Sequence, residues 1–203
     1  MGAVLFFSPQ DNALLAQIRV PNDTKLNDVA NFLSKWGDLN GAGPLAIAIW
    51  IVGAATDRVR WRKLGLALLM ACLVSGLIVN IFRMGTGRPR PYYQHEHPDV
   101  VDTFHGPQLG RGGMQSYPSG HACTSGTTGS TLAAVSPVLV LPGAVYAVAV
   151  SWSRLQLDRH HPIDITVGAT IGIVCGLCFG STVPGAWIRL RRKPRVNRRA
   201  FRK

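Results

Sequence analysis

The chain has 203 residues, of which 47% are apolar and 16% are charged, and its formal net charge is +12. Soluble proteins usually carry about 25% charged residues, so this composition favours a membrane protein. The basic excess does not indicate nucleic-acid binding. Nine of the 22 Lys and Arg residues lie in the last sixteen positions, and four more lie in Arg58–Lys63.

Residues 1–38 form the first predicted segment. Val29, Phe32, Leu33 and Trp36 recur at the spacing of one helix face, which predicts an amphipathic helix. Such a helix either lies in the membrane interface or packs on the aqueous side of the protein, and the pattern leaves both open. The segment does not predict a further span.

Residues 39–187 are predicted to form the membrane domain. A spanning helix needs about 20 apolar residues, and one of four apolar stretches is long enough for two helices separated at Pro137 and Pro142. We therefore predict an all-α bundle of about five transmembrane helices. A soluble bundle remains the alternative, because the mean hydropathy is only +0.15. The stretches are Leu39–Thr56, Leu64–Phe82, Ala122–Trp152 and Ile165–Trp187.

The basic segments predict the orientation of the bundle. With five crossings, Arg58–Lys63 and the basic tail at 188–203 fall on the same side, which the positive-inside rule assigns to the cytoplasm. We expect the tail to contact anionic lipid headgroups. The protein is predicted to lie in a bacterial inner membrane with a cytoplasmic C-terminus. The sequence does not indicate its oligomeric state.

Three arginines follow apolar stretches on the opposite side. Arg83 and Arg90 flank a Gly- and Pro-rich turn, and Arg154 ends the third stretch. A single arginine there is explained by a side chain reaching from the membrane edge to water. Three of them favour an anion clamp, because the planar guanidinium pairs with two phosphate oxygens and stays charged.

The tetrapeptide Pro118–His121 precedes the helix predicted from Ala122. Ser119 is a suitable N-cap residue, and the free amides of a first helical turn bind anions. Gly120 allows an oxygen to approach the backbone closely. An ordinary capping turn has the same pattern, but His121 adds a proton donor, so we predict a phosphate cradle with an acid beside it.

His160 and Asp164 lie four residues apart at the start of the last stretch. An aspartate that accepts from one imidazole nitrogen leaves the other free as a nucleophile. A structural His–Asp pair is the alternative. His95, His97 and His105 have a spacing that fits no familiar set of ligands, so no metal or other cofactor is predicted.

Taken in order, the three motifs resemble the signature of the type 2 phosphatidic acid phosphatase superfamily. Its pattern is K-x6-R-P, then P-S-G-H, then S-R-x5-H-x3-D. Pro118–His121 matches the second motif and Ser153–Asp164 matches the third. The first motif has Arg83 where the family has lysine, followed by Arg90 and Pro91. The arginine in place of lysine puts the expected fit of the substrate in question, more than it does the expected class of reaction.

The resemblance implies a metal-independent membrane phosphatase acting on lipid phosphates. His160 would attack phosphorus to form a phosphohistidine, Asp164 would orient it and His121 would protonate the leaving oxygen. The phosphate would be held by Arg83, Arg90, Ser119, Gly120 and Arg154. Members with membrane domains usually have six spans, and residues 1–38 do not predict the sixth.

Several substrates and reactions remain open at this point. Undecaprenyl pyrophosphate, phosphatidylglycerol phosphate, phosphatidic acid and lipid A phosphates present similar terminal groups. The same intermediate would also allow transfer to an acceptor other than water, and a vanadate-dependent haloperoxidase is a further option. Outside enzymes, the chain could be a non-catalytic basic membrane protein that binds anionic lipid or nucleic acid through its tail.

Overall fold

The computed structural model of the chain describes residues 9–188. The predictions made for the basic tail, including its contact with anionic lipid, lie outside the described residues. Within them, the chain forms eight α-helices and two short 3₁₀-helices, Gly112–Met114 and Pro137–Leu139, and no strand. The α-helices are α1 (Pro9–Ile18), α2 (Thr24–Ser34), α3 (Leu39–Ala55), α4 (Val59–Thr86), α5 (Pro91–Glu96), α6 (Gly120–Val135), α7 (Val140–Gln156) and α8 (Pro162–Gly180).

Fewer than the five predicted spans meet the requirements of a membrane crossing. Three helical segments of the described chain are long and apolar enough, namely Val59–Glu96, Pro137–Gln156 and Pro162–Gly180. Helices α2 and α3, bent by 44° at their junction, would together make a fourth. The expected number of five is therefore not confirmed. Helix α6 has only 16 residues, about 24 Å, against about 30 Å of hydrocarbon.

Helix α6 instead forms the centre of the bundle. It packs against α4, α7 and α8, and most of its side chains are buried, including many Ser and Thr residues. Their hydroxyls donate to carbonyls three or four residues earlier, as Thr127 does to Cys123 at 2.8 Å. Because these polar groups are satisfied within the helix, a weakly apolar sequence is tolerated in a buried position.

Four glycines at intervals of four residues join α8 to α6. All four are buried, and a Cβ at each would collide with α6 or with its N-cap residue, Ser119. Small residues at this spacing let helix backbones approach closely in membrane proteins. We call this row, Gly168, Gly172, Gly176 and Gly180, the glycine ladder. It holds the beginning of α8 against the beginning of α6.

The N-terminal segment contains two helices, where the sequence predicted one. Helix α2 packs against α7 through Ala30 and Ser34. Its apolar residues Val29 and Phe32 point outward and are 49% and 59% exposed. Helix α1 contacts α7 and α8. This segment therefore packs on the bundle while presenting an apolar outer face.

The basic segment and the predicted site residues lie at opposite ends of the bundle. Arg60, in the first turn of α4, donates to the carbonyl of Val135 at the end of α6 (3.0 Å). The amide of Ile188 also bonds near the end of α6, to Ala134. At the other end, α4 and α7 finish while α6 and α8 begin, and this is where the three motifs meet.

Candidate active site

Four helix ends and one short helix bring the predicted residues together. Arg83 and Arg154 lie in the last turns of α4 and α7. Ser119 is the N-cap of α6, which confirms the prediction from the sequence, and Arg90 is the N-cap of α5. Asp164 lies in the first turn of α8, with His160 just before that helix.

The three predicted arginines, of which Arg154 is buried and Arg83 and Arg90 are partly buried, are cations without carboxylate partners in the described chain. No ion pair within residues 9–188 involves Arg83, Arg90 or Arg154. Their Nε atoms are buried and have no hydrogen-bond partner in the described chain. Burying a charge without compensation is costly. This end of the bundle is therefore suited to an anion.

Arg83 and Gly120 lie in direct contact. A Cβ at Gly120 would collide with the guanidinium group of Arg83, so the absence of a side chain lets the cation reach the amides at the start of α6. Ser119 caps this helix by accepting from the amide of Ala122 at 3.4 Å. The clamp and the cradle predicted from separate motifs thus lie side by side on one surface, which is suited to an anion.

His121 lies beside the arginines in the first turn of α6. Burial, followed by the charge of Arg154, lowers the pKa of His121 to about 4, and Arg83 and Arg90 act in the same direction. A bound phosphate dianion would offset these positive charges and favour protonation of the imidazole. His121 is therefore suited to donate a proton when an anion occupies the clamp.

His160 is almost completely buried and is held by a backbone carbonyl. Its Nδ1 lies 2.8 Å from the carbonyl oxygen of Ser116, and because a carbonyl only accepts, Nδ1 carries the proton. Nε2 is then the nitrogen with a free lone pair. Burial lowers the pKa of His160 to about 3, despite the opposing effect of Asp164. The ring is therefore neutral near pH 7, as a nucleophile requires.

The orienting role predicted for Asp164 is shared with Ser116. The Asp164 carboxylate lies 3.8 Å from His160 Nδ1, beyond hydrogen-bond distance. Ser116 connects the two, since its carbonyl accepts from His160 and its Oγ donates to Asp164 Oδ2 at 2.5 Å. The same oxygen accepts from the amide of His161 at 2.9 Å. Asp164 therefore acts on the imidazole through its charge and through Ser116.

Arg88 is a site residue that the sequence analysis missed. Its guanidinium is fully buried and donates to three carboxylates, Asp164 at 2.6 Å, Asp102 at 2.8 Å and Asp11 at 2.9 Å. Arg88 thus differs from the other arginines of the site, because its charge is compensated within the protein. It fixes the carboxylate behind His160 and ties to it a loop and the first helix.

The N-terminal segment also contributes residues that no motif indicated. The Oγ of Ser34, at the end of α2, accepts from Nη1 of Arg154 at 2.5 Å. Asp11, in α1, accepts from the amide of Ile163 in the first turn of α8 at 3.0 Å. Single Ser and Asp residues in an amphipathic segment give no signal in a sequence. Their roles depend on contacts across more than a hundred positions.

The histidines of α5 and of the loop that follows it have separate partners. His97 and His105 bond to backbone carbonyls, and His95 lies 2.9 Å from Asp158. In the described part of the chain, no three His, Cys, Asp or Glu side chains are grouped to hold a metal ion.

We expect the stability of the protein to fall as the pH decreases from about 6.5 toward 4. The pKa values of His160 and His121 are lowered in the folded protein, to about 3 and about 4. The unfolded chain therefore takes up protons that the folded chain does not, and unfolding becomes easier. His160→Asn, which cannot titrate, should reduce this slope by about 1.4 kcal/mol per pH unit. Unfolding in detergent across this range measures it, and an unchanged slope would contradict the burial of a neutral imidazole.

Comparisons with known proteins identify the family of the chain. A family model described as the PAP2 superfamily matches residues 64–187. The chain is 28% identical over 135 residues to the lipid A 1-phosphatase of Rhizobium etli, covering 61% of this chain and 56% of that protein. It is 29% identical over 156 residues to the undecaprenyl-diphosphatase of Sulfolobus acidocaldarius, covering 72% and 66%.

The fold is also found among solved structures. The crystal structure of LpxE from Aquifex aeolicus superposes with a TM-score of 0.63 at 21% identity, covering 87% of this chain and 98% of that one. The sequence match to the Rhizobium etli protein spans just over half of that relative's length, at 56%.

Proposed function

This chain is an integral membrane protein that belongs to the PAP2 superfamily, and we propose that it hydrolyses the terminal phosphate of a lipid phosphate or pyrophosphate. Membership, seen over residues 64–187, confirms the resemblance drawn from the three motifs. Relatives named for lipid A 1-phosphatase and undecaprenyl-diphosphatase activity support a lipid substrate.

One observation carries the proposal. The Nε atoms of Arg83, Arg90 and Arg154 are buried and have no hydrogen-bond partner in the described chain. Arg88, which lies in the same motif as Arg83 and Arg90, is instead paired with three carboxylates. A phosphoryl group in its transition state distributes negative charge over three equatorial oxygens. Guanidinium groups that have no carboxylate partner are available to stabilise that charge.

The first chemical step is proposed to form a phosphohistidine. The lone pair of His160 Nε2 attacks phosphorus, the bond from phosphorus to the leaving oxygen breaks, and His121 donates its proton to that oxygen. The proton on Nδ1, held by the Ser116 carbonyl, stays in place. Asp164, whose Oδ2 is 3.8 Å from Nδ1, stabilises the positive charge that develops on the ring.

The second step is proposed to release inorganic phosphate. A water molecule attacks phosphorus, the bond from phosphorus to His160 breaks, and His121, now neutral, accepts the water proton. The acid of the first step therefore acts as the base of the second. The arginine clamp holds the phosphoryl group in both steps, so the residues involved supply all the groups that the reaction needs.

We propose further that the site faces the extracytoplasmic side of a bacterial inner membrane. Arg58–Lys63 lies at the end of the bundle opposite the arginine clamp, as the contact from Arg60 to Val135 indicates. The positive-inside rule assigns such a basic segment to the cytoplasm. We retain the proposed division into residues 1–38, 39–187 and 188–203, with the basic tail at anionic lipid.

Phosphate release from a panel of lipids in detergent tests the proposed function. The purified protein should release inorganic phosphate from undecaprenyl pyrophosphate, phosphatidylglycerol phosphate, phosphatidic acid or lipid A, in the presence of a chelator, and vanadate should inhibit it. A phosphorylated alcohol formed when a competing alcohol is added would instead indicate phosphoryl transfer. Absence of release from the whole panel would contradict the proposal.

A further inference from the structure

An apolar groove of about 370 Å³ lies between α2, α3, α6 and α7. We call it the α2–α7 groove. The residues that matter for its interpretation are Leu33, Trp36, Leu45, Leu132, Tyr146 and Val150. No part of the proposed reaction uses these side chains.

The wall formed by α7 continues directly into the arginine clamp. Pro142, Tyr146 and Val150 line the groove, and Arg154 follows Val150 by four residues. Residues four apart lie on the same face of a helix. One face of α7 therefore carries an apolar strip that ends in a cation of the proposed phosphate site.

The wall formed by α6 has the same arrangement. Thr128 and Leu132 line the groove, and they follow His121 by seven and eleven residues, which again places the three on one helix face. The proposed proton donor thus lies at the end of the strip on α6, as Arg154 does on α7. Two independent helices place the reacting groups at the same end of the groove.

The junction of α2 and α3 borders both this end of the groove and the site. A Cβ at Gly37 would collide with Val150 and would lie 3.0 Å from the His121 ring, so Gly37 contacts both the groove wall and the proposed acid. Ser34, one turn earlier, bonds to Arg154. The groove and the clamp are therefore adjacent at this junction.

The two hydroxyl groups along the groove already have hydrogen-bond partners. The Tyr146 hydroxyl donates to the carbonyl of Trp36 at 2.5 Å, and the Thr128 hydroxyl donates to the carbonyl of Thr124 at 2.9 Å. What remains along the walls is hydrocarbon and aromatic surface. A ligand in the groove gains from apolar contact and needs no hydrogen bond there.

We infer that the α2–α7 groove binds a hydrocarbon chain of the lipid whose phosphate lies between Arg154 and His121. The inference rests on the proposed function, and it identifies which surface contacts the hydrocarbon part of the substrate. Apolar walls that lead to buried cations match an amphiphile with an anionic head, whereas a soluble phosphate ester would leave the groove unused.

The length of the groove fits one leaflet of a bilayer. From Arg154 to Pro142 is twelve residues of α7, about 18 Å at 1.5 Å per residue. Half of the hydrocarbon thickness is about 15 Å. A chain that starts at the membrane surface, where the phosphate is held, would therefore extend to the middle of the bilayer within the groove.

Leu45→Trp tests the inference by narrowing the groove from α3. Leu45 is 42% exposed, so the larger ring should be accommodated without unfolding the bundle. We expect KM for dioleoyl phosphatidic acid to rise about tenfold, with kcat/KM for para-nitrophenyl phosphate, which has no chain, unchanged. Ile47→Trp is the matched control, because Ile47 lies on the same helix, is 50% exposed and is not part of the groove. Equal effects of the two variants on the lipid would overturn the inference.

A measurement that does not depend on activity separates this inference from the proposed function. The unmodified protein is irradiated with a long-chain alkyl phosphate that carries a diazirine at the chain end. Cross-links on α7 near Pro142 that disappear with excess inorganic vanadate support the groove. Cross-links elsewhere, or equal labelling by the corresponding alkyl alcohol, would show that only bulk lipid binds there and would overturn it. A protein that cross-links as expected but releases no phosphate would contradict the proposed reaction alone.

Discussion

His160→Ala is expected to abolish phosphate release from lipid substrates, with a loss in kcat/KM on the order of 10⁴-fold. The substitution removes the nitrogen proposed to attack phosphorus, while the clamp of Arg83, Arg90 and Arg154 stays in place. Lipid phosphate should therefore still bind. Phosphate release at saturating substrate, together with binding of the lipid to the inactive variant, measures both parts.

The matched control is His105→Ala. His105 is exposed and its imidazole bonds to the nearby carbonyl of Val101, so loss of this side chain should leave the rate unchanged. Wild-type protein quenched during turnover should also carry a phosphate that is labile in acid and stable in alkali, and the His160→Ala protein should carry none. Unchanged activity of His160→Ala would eliminate the covalent mechanism, whatever the substrate.

Arg88→Met should destabilise the folded protein by about 3 to 5 kcal/mol and reduce activity at the same time. Arg88 is fully buried and pairs with Asp11, Asp102 and Asp164, two of them largely buried and the third completely so. Methionine fills similar space without charge, which leaves three carboxylates without their cation. Thermal unfolding in detergent and phosphate release measure the two effects.

A surface pair at the start of α4 provides the control. Arg62 lies 3.5 Å from Asp57, and their side chains are 40% and 94% exposed, so Arg62→Met should cost less than about 1 kcal/mol. Arg88→Met/Asp102→Asn should recover part of the stability by removing one uncompensated carboxylate. If the two single Arg→Met variants unfold at the same temperature, Arg88 does not hold the site together.

The motifs predicted where the chemistry lies because they stand at helix ends that can be recognised locally. Ser119 is a strong N-cap residue before an uninterrupted helix, and the prediction that it caps α6 is confirmed. Arg83 and Arg154 follow apolar stretches, so their place at one end of the bundle followed from the alternation of the helices. Local patterns of this kind depend on few residues and little tertiary context.

Tertiary contacts account for what the sequence did not reveal. Arg88 lies between Arg83 and Arg90 in the same motif, and nothing local distinguishes a compensated arginine from an uncompensated one. Two of its partners, Asp11 and Asp164, are 77 and 76 positions away. The predicted number of spans is not confirmed at α6 for a related reason, since its weakly apolar 16 residues are surrounded by other helices of the bundle.

The glycine ladder fixes the spacing of α6 and α8, whereas the positions of α2 and α3 are less constrained. Because α6 and α8 meet backbone to backbone, the distance between the groups on their first turns, His121 and Asp164, has almost no freedom to vary. The α2–α7 groove is bounded on its far side by α2 and α3, which make no such contact with α8 among the described helices. Apart from Ser34, which bonds to Arg154, substitutions on the groove side of α2 and α3 can therefore accumulate without moving His121 and Asp164. New lipid preferences would arise there first, with the chemistry inherited intact.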